Sequence, residues 1–114
     1  MGRLTTHVLD TATGRPAGDL AVRLLRAGDD TPLIETRTNS DGRCDAPLLE
    51  GDAFETGLYR LQFECGAYFD AIGADLPDPK FLDVVTVDFA MAEDAHYHVP
   101  LLVSPFGYST YRGS

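Results

Sequence analysis

Basic side chains are scarce in this chain: nine Lys and Arg stand against eighteen Asp and Glu, a formal net charge of −9. Nucleic-acid affinity comes chiefly from cations that neutralise phosphates, so this balance offers a nucleic-acid partner no evident source. Any anion site must rest on individual cations, each identified by position. Long apolar runs are also lacking. None approaches the ~20 residues that span a bilayer, and Met1-Gly2-Arg3-Leu4-Thr5-Thr6-His7 has neither the apolar stretch nor the cleavage pattern of a secretion signal. A cytoplasmic protein without a membrane partner is expected. Cysteines number two, Cys44 and Cys65. Without an oxidising compartment they read as reduced core residues rather than a disulfide, and their spacing fits no common zinc pattern.

What is present is strand pattern. The 114 residues and an apolar fraction of 44% suit one domain, 1–114, with one core. Turn chemistry recurs about every ten residues between short alternating apolar runs, which predicts a sandwich or barrel. Strands are expected over residues 4–10, 20–24, 33–38, 58–65, 84–89, 96–103 and 108–112. Asn39-Ser40-Asp41-Gly42 reads as a turn in which Gly42 takes positive φ, leaving Arg43 at the head of a further short strand before Pro47. Residues 67–74 form the one plausible helix, ended by the prolines of Leu76-Pro77-Asp78-Pro79. The expected fold is all-β: a two-sheet antiparallel sandwich of about eight strands with one short helix.

Candidate chemistry lies in the histidines. Successive strand side chains alternate faces, so His96 and His98 point one way while Tyr97, Val99, Leu101 and Val103 point the other, into the core. Turned outward, neutral imidazoles near their ordinary pKa can do acid–base work, or can be partly exposed strand residues with no further role. His7 with His96 and His98 also matches a three-imidazole zinc site. Arg43 offers a fork of donors able to hold an oxyanion or a planar imide-like substrate. Ser114 lacks a Gly-x-Ser-x-Gly setting, so covalent serine catalysis is not indicated.

Three separated segments resemble one family. Leu4-Thr5-Thr6-His7-Val8-Leu9-Asp10 with Thr13-Gly14-Arg15-Pro16 resembles the opening strand and turn of the transthyretin-like family, and Asp41-Gly42-Arg43 resembles its turn into the fourth strand. His96-Tyr97-His98-Val99-Pro100-Leu101-Leu102-Val103-Ser104 through Gly107-Tyr108-Ser109-Thr110-Tyr111-Arg112-Gly113-Ser114 is similar to the closing strand pair, ending in the tetrapeptide that marks the family's 5-hydroxyisourate hydrolases. Residues 46–80 follow by hydrophobic pattern rather than motif. Hormone-carrying transthyretins share the sandwich but lack both the histidines and the Tyr-Arg-Gly-Ser end, so the resemblance favours enzyme over carrier.

The resemblance implies hydrolytic opening of the six-membered ring of 5-hydroxyisourate, giving 2-oxo-4-hydroxy-4-carboxy-5-ureidoimidazoline, in urate catabolism. It implies no metal and no organic cofactor. His7, Arg43, His98 and Ser114 would be the catalytic set, His7, Arg43 and Tyr111 would contact substrate, and His96 would support. It further implies a homotetramer with pockets where two dimers meet. The alternatives are a zinc-dependent hydrolase using His7, His96 and His98, and a non-catalytic small-molecule binding module. If Ser114 works in the site, the chain must leave regular extension near Gly113, and an added C-terminal tag should impair activity more than an N-terminal one.

Overall fold

The computed structural model describes residues 1–113. Its strands are β1 (Arg3–Asp10), β2 (Arg15–Pro16), β3 (Ala21–Arg26), β4 (Ile34–Arg37), β5 (Leu49–Glu50), β6 (Gly57–Glu64), β7 (Val84–Met91), β8 (His96–Ser104) and β9 (Gly107–Thr110), with one helix, α1 (Cys65–Ala71), and a 3-10 turn at Gly51–Ala53. One sheet runs β2-β1-β8-β9 with β5 also on β1, and the other runs β4-β3-β6-β7. The expected two-sheet, all-β fold with one short helix is present. One pair departs from antiparallel order: β1 and β8 run parallel, with Arg3 beside His96, Thr5 beside His98 and His7 beside Pro100.

Alternation fills the core. From β1 the inward residues Leu4, Thr6, Val8 and Asp10 are buried, and from β8 Tyr97, Val99, Leu101 and Val103. They meet Val22, Leu24, Tyr59, Leu61, Phe63, Val85 and Val87 of the second sheet. Burying each of the leucine, valine and phenylalanine side chains contributes roughly 1.5–3 kcal/mol. The polar residues of β1 among them are satisfied: the Thr6 hydroxyl donates to Val99 O at 2.7 Å, Asp10 Oδ1 accepts the Ala12 and Thr13 amides at 2.9 and 3.2 Å, and Oδ2 accepts the Tyr68 hydroxyl at 2.8 Å. Cys44 and Cys65 are free thiols, the latter buried and pushed up to about 12 by that burial.

The free edge of β1 is covered in three pieces, which matters for the site. At its start β5 pairs Leu49 with Leu4, at its end β2 pairs Pro16 with Leu9, and between them Arg43 makes a single antiparallel bridge to His7. The short strand expected from Arg43 to Pro47 is therefore reduced to that bridge, and pairing resumes after Pro47, which has no amide hydrogen to donate. The helix starts at Cys65, directly on the end of β6, rather than at residue 67. It ends earlier too, because Gly73 (φ 81°) takes the left-handed conformation and Ala74 N bonds Phe69 O at 3.0 Å. That is a glycine helix stop, reached before the prolines.

Candidate active site

Two adjacent strands with a parallel register bring their outward residues into one row. Arg3, Thr5 and His7 of β1 alternate away from the core, as do His96 and His98 of β8. Because Thr5 stands beside His98, its hydroxyl reaches both imidazoles: Thr5 Oγ1 lies 2.8 Å from His98 Nδ1 and 3.0 Å from His96 Nε2. Sequence periodicity places His96 and His98 on one face but does not say which strand lies alongside, so Thr5 had no visible signal beyond sharing the parity of His7.

Arg43 is delivered by its turn. Asn39 N bonds Arg43 O at 2.7 Å, Gly42 N bonds Asn39 O at 2.9 Å, and Asn39 Oδ1 accepts the Asp41 amide at 2.9 Å. Gly42 sits at φ 75°, and a Cβ there would collide with the Val8 carbonyl. Both facts require glycine. Gly42 O then accepts Val8 N at 2.8 Å, docking the turn on β1 and setting Arg43 opposite His7. The Arg43 side chain forms no ion pair with any carboxylate among the described residues.

A cavity of about 310 Å³ opens over this row, lined by Arg3, Thr5, Arg43, Cys44, His96 and His98 among others. Its electrostatics follow from burial and the guanidinium. Burial lowers the pKa of His98 below the ordinary 6.5, and Arg43, His7 and His96 lower it further. Burial and Arg43 lower His7 as well, partly opposed by the Asp41 backbone and carboxylate. Both imidazoles are thus neutral near pH 7 and can accept a proton. Cys44 faces the same cavity, but burial and Asp45 raise its pKa, which keeps it a thiol and a poor nucleophile.

Of the residues expected to form a site, the structure gathers His7, Arg43, His96 and His98. His7 borders Arg43 and influences His98 electrostatically, although it does not line the cavity itself. Tyr111 is exposed and lies along a different groove, with Val87, Phe89, Tyr97, Val99 and Arg112. Ser114 lies outside the described residues. The approach to it is clear up to Gly113: the β8–β9 register pairs Leu101 with Thr110, and the bridge between His98 and Gly113 keeps that register. The ladder lapses between them because Pro100, opposite Tyr111, has no amide hydrogen, and the Thr110 hydroxyl takes its carbonyl at 2.7 Å. Gly113 N bonds His98 O at 2.7 Å, and a Cβ at Gly113 would lie 2.6 Å from His98 Cδ2. The glycine is thus needed for close approach to the imidazole.

A metal centre fits this geometry poorly. The two histidine nitrogens that converge do so on the Thr5 hydroxyl oxygen. No group of three or more His, Cys, Asp or Glu with metal-holding spacing occurs among the described residues.

The model of the HIUase/Transthyretin family matches residues 4–113. A curated relative, 5-hydroxyisourate hydrolase of Ralstonia nicotianae, is 61% identical over 117 residues, covering 100% of this chain and 100% of the relative. Among solved structures, 5-hydroxyisourate hydrolase of Klebsiella pneumoniae superposes with a TM-score of 0.84 at 38% identity, covering 100% of each chain. Sea bream transthyretin in complex with thyroxine reaches the same TM-score of 0.84 at 29% identity, covering 97% of this chain and 94% of its own. The fold is therefore shared by an enzyme and a thyroxine-bound protein, and the distinction rests on the site.

Proposed function

This chain belongs to the HIUase/transthyretin family and hydrolyses 5-hydroxyisourate in urate breakdown, and we propose that it does so without a metal, through water activated by an imidazole. The observation that carries this mechanism is the polar cavity lined by His98 and the Arg43 guanidinium, with His7 bridged to Arg43 at its border and both His7 and His98 lowered in pKa. A neutral histidine, His7 or His98, takes a proton from water as the oxygen adds to the ring carbonyl. Arg43 stabilises the oxyanion that forms. Collapse of the tetrahedral adduct breaks the amide C–N bond, the proton passes from the imidazolium to the departing nitrogen, and the carbonyl carbon leaves as a carboxylic acid. One water is consumed and no electrons are exchanged.

The finer parts of the reading rest on less. Ser114 completes the catalytic set and Tyr111 contacts the substrate, assignments that rest on the Tyr111-Arg112-Gly113-Ser114 ending, since Tyr111 lies along a groove separate from the histidine row. The assembly is a homotetramer with sites at the dimer–dimer interface, supported by the outward-facing histidine row, which a partner subunit would cover. The protein works in the cytoplasm; none of its described helices is long and apolar enough to cross a membrane.

The test is direct. Substrate is generated in place from urate by a urate oxidase, and its decay is followed with and without the protein, before and after exhaustive chelation. Acceleration that survives chelation is expected. Chelator-sensitive acceleration would instead select the zinc mechanism, and no acceleration would select a binding module.

A further inference from the structure

The row of contacts on the outer face of β1 and β8 also bears on which nitrogen of His98 can act. A threonine hydroxyl has one hydrogen and two acceptor lone pairs. Thr5 Oγ1 faces a ring nitrogen from each of two histidines, His98 Nδ1 at 2.8 Å and His96 Nε2 at 3.0 Å, so it can donate to only one of them. If it donates to His98, the His98 lone pair is engaged at Nδ1 and Nε2 carries the hydrogen, leaving the ring unable to accept a proton from water. If it donates to His96, it accepts from His98 Nδ1–H, and the His98 lone pair stands at Nε2.

We propose that Thr5 is a positioning residue that holds His98 as the Nδ1–H tautomer, with the chain of hydrogen bonds running from His98 Nδ1–H to Thr5 Oγ1 and from the Thr5 hydroxyl to His96 Nε2. Three observations select this direction. His98 Nε2 has no hydrogen-bond partner among the described residues, and the ring lines the cavity that also contains Arg43. A guanidinium across that cavity favours a lone pair at Nε2 over an N–H dipole aimed at it. His96 is exposed, so its remaining nitrogen can donate to water and either of its tautomers is accommodated.

The ring is also held in place from the other side. Gly113 N–H bonds the His98 carbonyl, and its α-carbon lies so close to the ring edge that an added Cβ would come within 2.6 Å of Cδ2. Thr5 on Nδ1 and Gly113 on Cδ2 together resist a ring flip that would exchange those two atoms. The arrangement leaves His98 able to accept a proton at Nε2, and it rests on the hydrolase reading given above. A partner that fixes the tautomer of a metal-ligating imidazole is worth ~10–100-fold, and the same order is expected for an imidazole that acts as a base.

The experiment compares wild type, Thr5→Val, which keeps the shape without the hydroxyl, and Thr5→Ser, which restores it. The assembled protein is labelled with nitrogen-15 in its three histidines, and long-range proton–nitrogen correlations report each ring's tautomer above its titration. The wild type and Thr5→Ser are expected to show His98 protonated at Nδ1. Thr5→Val should lose that single tautomer and fall ~10–100-fold in kcat with KM little changed, and Thr5→Ser should recover most of it. A wild-type His98 protonated at Nε2 would overturn the proposal, and so would a folded Thr5→Val with wild-type kcat. If Thr5→Val fails to fold, the wild-type and Thr5→Ser spectra still decide. Wild-type protein that does not hydrolyse 5-hydroxyisourate would refute the functional reading, while the spectra would judge the tautomer separately.

Discussion

Replacing Arg43 by Gln separates two jobs that the structure gives one side chain. As an oxyanion donor its removal should lower kcat ~10²–10³-fold, about 2.7–4 kcal/mol of transition-state stabilisation. As a cation it is also the second cause, after burial, of the lowered pKa of both His7 and His98. The base must be neutral to act, so the rate falls as pH drops through its pKa, and in the wild type that acid limb lies below the ordinary 6.5. Without the guanidinium the imidazolium is less disfavoured, and the limb should move up toward 6.5 without passing it, because burial remains. Arg43→Lys keeps the charge and loses the fork: its kcat should fall while its acid limb stays near that of the wild type. The assay is the pH dependence of kcat for substrate made in place from urate, with the three proteins matched for oligomeric state. An acid limb unmoved in Arg43→Gln, or moved equally in Arg43→Lys, would refute the electrostatic reasoning.

Gly42→Ala and Gly14→Ala form a matched pair, since both positions have φ 75° but only the first has backbone in the way of a Cβ. Gly14→Ala should lose only the ~1–2 kcal/mol of a left-handed non-glycine residue, whereas Gly42→Ala should lose more and also depress activity by displacing Arg43; urea unfolding together with turnover measures both. Tyr68→Phe removes the hydroxyl that Asp10 Oδ2 accepts in the core, and should destabilise by ~1–3 kcal/mol in the same unfolding assay with turnover of the folded protein unchanged. Sedimentation at micromolar concentration should show a tetramer; a fully active monomer would contradict both the assembly and a pocket shared between subunits.

Alternation made most of the fold readable. Tyr59, Leu61, Phe63 and Cys65 form the buried face that their spacing announces, and Tyr97 to Val103 do the same on β8. What the sequence hid was adjacency. That β8 lies parallel to β1 depends on the path of the whole chain, and without it neither the Thr5 contact with His96 and His98 nor the electrostatic influence of His7 on His98 can be inferred. The two-residue strands were missed because Arg15–Pro16 and Leu49–Glu50 are too short to show a period. The helix end was misplaced because Gly73, a stronger local stop, comes before the prolines. In the site, Arg43 was found from its turn, since Asp41-Gly42 carries a recognisable geometry. Gly113 makes room for an imidazole, a requirement that appears only once a neighbouring strand is in place.

The claim that hydrolysis here is driven by histidine and needs no metal is tested most directly by measuring the decay of 5-hydroxyisourate with exhaustively chelated wild type, His7→Asn and His98→Asn, each shown to be folded and assembled. The account predicts undiminished turnover for the chelated wild type and a loss of about two to four decades, the usual worth of a positioned general base, in His98→Asn. Chelated wild type that is inactive, or a His98→Asn variant as fast as the wild type, would contradict it.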